Sequence, residues 1–198
     1  MSKALKLIFV SILACICQTT LVRYISVGGI APDMMIVFLV LITSYCGITG
    51  GFCCGSLMSM FYDASVGYAL AINMVSYTFI GYASAGLRSS VDRFFVKHIR
   101  RMKHKSVLVM MLICFFMTVL RELIHIGYLF IVGAEILNLE QLPITMMRMA
   151  FCASYSSLMI IPCTFILRRI MNWHLPIRKK VSDLIPDKKE NHPAEIDV

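Results

Sequence analysis

From Met34 to Tyr62 the chain runs for 29 residues without a charged side chain. As one straight α-helix this run would be about 43 Å long, against a hydrocarbon core of about 30 Å. Ile48-Thr49-Gly50-Gly51 offers a turn near its middle. The run therefore reads as two short membrane spans, Met34 to Ile48 and Gly51 to Tyr62.

Four further apolar stretches accompany it: Leu5 to Leu21, Ala69 to Leu87, Val107 to about Val132, and Ile144 to Leu167. Only 15% of the 198 residues are charged and 59% are hydrophobic, with a mean hydropathy of +0.78. Soluble proteins carry charge on roughly a quarter of their residues. The expected fold class is an all-α integral membrane protein, a six-transmembrane-helix bundle. A secreted disulfide scaffold, a disordered chain and a soluble enzyme are all excluded by the same balance.

Charge distribution sets the expected orientation. The net charge is +8, from 19 Lys and Arg against 11 Asp and Glu. Lys3 and Lys6 precede the first apolar run, seven basic residues fall between Arg88 and Lys105, and seven more between Arg168 and Lys189. Lys and Arg close to a span resist translocation. With the 34–62 run as a single crossing, the 88–105 cluster would lie opposite the N-terminus. With two crossings, all three clusters share the cytoplasmic side. The expected organisation is a membrane domain over 1–171, including a cytoplasmic basic loop at 88–105, and a charged, disordered cytoplasmic tail over 172–198. Clustering beside apolar spans accounts for the basic charge without nucleic acid.

The segment Gly47-Ile-Thr-Gly-Gly51-Phe-Cys-Cys-Gly55-Ser-Leu-Met-Ser59-Met-Phe-Tyr-Asp63 places a small residue at every fourth position and ends on an acid. Such a stripe lets a second helix approach backbone to backbone, because lipid tails give apolar side chains no reason to prefer one another. Gly47, Gly51, Gly55 and Ser59, with Gly81 on the next span, are the expected packing residues, and the third span is expected to be buried inside the bundle. Asn73 should face protein. The eight cysteines all lie in apolar stretches and read as small reduced side chains. Ile12-Leu13-Ala14-Cys15 faintly resembles a lipoprotein processing site, but the apolar run continues past it. Pro162 should kink the last span.

Intramembrane charges need partners. Helical rise places Glu122 near the outer boundary and Arg148 at a similar depth on a helix running the other way. They are expected to pair, in an outer-face polar cluster with Asp33, Asp63 and Arg121. On the inner side, Phe95, Ile99 and Met102 share one helical face, with Arg93, Lys97, Arg100 and Arg101 around the other, the pattern of an interfacial helix on an anionic leaflet. Glu122-Leu-Ile-His125 has the spacing of a di-metal bundle motif but lacks the second motif such sites require. No catalytic order, phosphate loop or spaced cysteine pair is visible. No enzyme activity, cofactor or metal is therefore expected.

Pro32-Asp33 before an apolar run, the glycine series through Gly47, Gly51 and Gly55 to Phe61-Tyr62-Asp63, then Gly67 and the Asn73 to Gly81 helix, resemble the rod shape-determining membrane protein MreD family. The likeness covers about Leu5 to Leu167. Ser59 stands where a second glycine would be expected, and the charged tail lies outside the likeness. The resemblance implies a non-enzymatic scaffold of the bacterial cell-elongation complex in the cytoplasmic membrane. Its implied partners are MreC, MreB and the peptidoglycan synthases RodA and penicillin-binding protein 2. It also implies a bundle similar to the substrate-binding components of energy-coupling-factor vitamin transporters. Such a component is itself the rival reading, although the first span lacks the Ala-x-x-x-Ala contact those proteins present to their membrane partner.

Six spans with both ends inside can be tested by thiol labelling of single cysteines in a cysteine-free background. Lys103→Cys and Glu190→Cys should be shielded from an impermeant reagent added to intact cells. Strong external labelling of either overturns the topology.

Overall fold

The structure, a computed structural model, describes residues 3–66, 70–98, 105–131 and 142–171. Apart from one backbone bridge, their regular structure is helical. Helix α1 (Lys3–Ile16) continues through a π-helical turn (Cys17–Leu21) into the short α2 (Val22–Ile25). Then follow α3 (Met34–Val66), α4 (Leu70–His98), α5 (Lys105–Ile131) and α6 (Leu142–Met171). Four stretches are long and apolar enough to cross a membrane: Leu5–Ile25, Met34–Ser65, Val107–Ile131 and Pro143–Leu167. These make the chain a multi-pass membrane protein. Helix α4 is more polar because it carries Asn73, Arg88, Asp92 and Arg93.

Helix α3 is interrupted at Gly47, whose φ of 74° and ψ of −161° belong to a region essentially reserved for glycine. The two arms, 34–46 and 48–66, fold back along each other. In a straight helix Met35 and Met58 would lie about 35 Å apart. Instead Cys15 reaches both, its Sγ lying 3.8 Å from Met35 Sδ and 3.3 Å from the Met58 carbonyl oxygen. The reversal falls one residue before the expected turn, because Gly47 alone takes the required backbone angles while 48–51 are helical. Gly47 is accordingly no packing residue, since a Cβ there would meet nothing within 4 Å.

The remaining small residues do form a seam. A Cβ at Gly51 would lie 2.5 Å from the Gly81 carbonyl oxygen, one at Gly55 would lie 2.5 Å from that of Tyr77, and one at Gly81 would run into the Gly51 carbonyl. Backbones of the second arm and α4 are thus in direct contact, and Ser56 and Thr78 share a hydroxyl bond of 3.0 Å along the same seam. Ser59 is buried, its hydroxyl turned back onto the Gly55 and Ser56 carbonyls at 2.9 and 2.8 Å. In this rotamer it makes no demand on a neighbour.

The buried centre of the bundle is the first arm. Every residue from Pro32 to Ser44 is buried, whereas Phe52, Cys53, Met60 and Phe61 on the second arm are exposed. A helix apolar on all sides belongs inside, and one with a small-residue stripe needs to bury that stripe alone. The expectation that the third span is the buried one is corrected on this ground. Helix α3 packs against α1, α4, α5 and α6. Other boundaries also shift: the first span reaches Ile25, the second arm continues past Asp63 to Val66, and α4 runs on to His98. Helix α6 continues through Pro162. Arg93 and Lys97 lie in the last turns of α4; Arg100, Arg101 and the 172–198 tail lie outside the described residues.

Two glycine substitutions separate reversal from seam. Gly47→Ala should destabilise by about 1–3 kcal/mol through backbone strain although the site is open. Gly55→Leu should cost far more folded protein than Leu57→Phe, because it drives two backbones apart. Thermal unfolding in detergent measures both. Equal tolerance of Gly55→Leu and Leu57→Phe would refute the seam.

Candidate functional site

Asp33 caps α3 and ties four helices together. Its Oδ1 accepts the Ile36 N–H at 3.2 Å, an N-cap bond that supplies one of the partners a helix start lacks. Its Oδ2 accepts the Tyr77 hydroxyl of α4 at 3.2 Å and lies 3.5 Å from Arg121 Nε of α5. Its backbone N–H donates to Ser156 Oγ of α6 at 2.8 Å. The neighbouring Met34 N–H donates to Gln18 Oε1 at 2.7 Å. Gln18 belongs to the π-helical turn, which inserts an extra residue per turn and is steadied by Thr19 and Thr20 hydroxyls on the Cys15 and Ile16 carbonyls, at 3.0 and 2.5 Å.

Arg121 is the shared cation. Its Nη1 donates to Glu122 Oε1 at 2.6 Å, and its guanidinium lies 5.5 Å from the centroid of the Tyr77 ring. Asp33 is 3% exposed, so this charge is held by protein rather than by water. One guanidinium facing two carboxylates and an aromatic face is a fixed structural network.

Asp63, at the same end, pairs with no arginine among the described residues. Its Oδ1 accepts Asn73 Nδ2 at 2.7 Å, closing the top of the α3–α4 seam, while Oδ2 has no partner among the described residues. Nor do Glu122 and Arg148 form an ion pair. Arg121, next to Glu122 in sequence, takes that carboxylate instead. Glu122 and Arg148 do line one cavity of about 300 Å³, together with His125, Thr145, Cys152 and the turn at Gly29. That turn is closed by two backbone bonds between Val27 and Ile30, at 3.1 and 3.0 Å, with Gly28 and Gly29 both at positive φ. It is pinned to α6 by the Cys152 thiol on the Ala31 carbonyl and the Tyr155 hydroxyl on the Ile25 carbonyl.

The structure thus brings Asp33, Arg121 and Glu122 into one network, places Arg148 on the cavity beside it, and puts Asp63 in a separate pair. Sequence reasoning missed Tyr77, Ser156 and Gln18. Gln18 carried a legible signal, being the one carboxamide in the 5–21 apolar run. Tyr77 and Ser156 are ordinary membrane-helix residues until the fold sets them against Asp33. The chain matches no family model, no curated protein and no solved structure.

Arg121→Gln leaves Asp33 and Glu122 without their cation and should destabilise by about 3 kcal/mol, the lower end for a broken buried pair. Arg148→Gln breaks no ion pair and should stay within about 0.5 kcal/mol. Chemical unfolding in micelles distinguishes them, and equal losses would mean that Arg121 is not the shared cation.

Proposed function

We propose that this chain is a non-enzymatic scaffold subunit of the bacterial cell-elongation complex, of the MreD kind. In this reading it crosses the cytoplasmic membrane six times, with both termini inside. The hairpin at Gly47 supplies two crossings. Its first arm is too short for a lipid-facing span, but it is buried throughout and so answers to neighbouring helices rather than to bilayer thickness. Asp33, Asp63 and the Arg121 network then lie toward the outer face, and the basic segments toward the cytoplasm.

One observation carries the reading. Six of the residues on which the resemblance rests, Asp33, Gly51, Gly55, Asp63, Asn73 and Gly81, hold the helices against one another, and Gly47 makes the reversal between the two arms. A protein defined by its packing residues is suited to hold others in place. MreC is the expected direct partner, with MreB, RodA and penicillin-binding protein 2 in the same assembly.

The rival reading, a membrane component that captures a small vitamin, draws on the cavity beside Glu122 and Arg148. Depletion separates the two. A scaffold should give rounded cells that lose their rod shape, with MreC recovered on the tagged chain. Normal shape, no MreC and loss of vitamin uptake would overturn the scaffold and favour the transporter.

A further inference from the structure

The charges around the cavity are arranged for a ligand of matching pattern. Glu122 gives Oε1 to Arg121, and its Oε2 accepts no hydrogen bond from any described residue. Arg148 lines the opposite helix and forms no ion pair among the described residues, its Nη2 lying 3.9 Å from where a side chain on Gly29 would begin. Asp33 and Glu122 together balance Arg121 and Arg148, so the cluster is neutral as a whole. A purely anionic or cationic guest would unbalance it, whereas a zwitterion would not. His125 adds a hydrogen-bonding group, and Ile126 and Met149 form an apolar wall.

We propose that this cavity binds a zwitterion carrying a primary ammonium and a phosphate, the pattern of an ethanolamine phosphate headgroup. Glu122 accepts from the ammonium. Arg148, with His125, donates to the phosphate, for which a guanidinium fork is well matched. The apolar wall suits the start of an acyl-bearing glycerol. The same zwitterionic phosphodiester exists on phosphatidylethanolamine and on free sn-glycero-3-phosphoethanolamine. The inference does not depend on the scaffold reading.

Native mass spectrometry of the full chain, released from mixed-lipid nanodiscs, tests it. Phosphatidylethanolamine should be retained over phosphatidylcholine, whose methylated nitrogen has no N–H for Glu122. Glu122→Gln should erase that preference, and Arg148→Gln should lower retention of both about tenfold. If sn-glycero-3-phosphoethanolamine displaces the lipid or binds with the same dependence on both residues, the free compound is the ligand. If it does neither, the lipid is. Arg148→Gln breaks no ion pair, so its result stands even where Glu122→Gln fails to fold. Unchanged binding of both probes in Arg148→Gln overturns the proposal. So does an equal loss in Arg23→Gln, an exposed arginine that does not line the cavity.

Discussion

Where Gly51 and Gly81 meet, two helix backbones touch with no side chain between them, and the rest of the bundle follows from that approach. In lipid, association of helices rests on close packing and hydrogen bonds, because burial against a neighbour gains an apolar side chain little over burial in acyl chains. The contact brings the second arm of α3 onto α4. It also sets Asp63 beside Asn73, Ser56 beside Thr78 and Ser84 beside Thr43, at 2.7, 3.0 and 3.2 Å. Each polar pair is reached because the glycines let the helices close.

At one end of this seam the packing becomes electrostatic. Asp33 can be buried because three elements satisfy its carboxylate, namely its own helix start, Tyr77 and Arg121, while Ser156 accepts its backbone N–H. A carboxylate in such a place is costly unless its lone pairs are filled. Once they are filled, it fixes the relative rotation of α3, α4, α5 and α6 more narrowly than apolar contacts would. The π-helical turn serves the same end by bringing Gln18 to the next free N–H of α3.

The first arm of α3 gives the bundle its centre. Being apolar on every side and free of charge, it can be surrounded completely, and α1, the second arm, α5 and α6 close around it. The helices outside it keep large apolar side chains facing outward, among them Phe9 on α1, Phe79 on α4, Phe116 on α5 and Phe165 on α6. Such faces are at home in acyl chains, which is why a chain so apolar can remain a defined bundle.

The sequence by itself determined that the chain is helical and membrane-borne, that the 34–62 run must break near its middle, and that Gly51, Gly55 and Gly81 would lie at a seam, although it counted Gly47 with them. These properties are local or periodic: charge density, run length, small residues four apart. Only tertiary structure decided which helix is central, since an apolar run has no face to read. Partner choice was also hidden. Glu122 and Arg148 were matched in depth, but depth along a helix says nothing about rotation around it, and Arg121 was one residue nearer. Tyr77 and Ser156 became partners of Asp33, and Gln18 of the neighbouring Met34, through contacts between residues 16 to 123 positions apart in the chain, which no local pattern records.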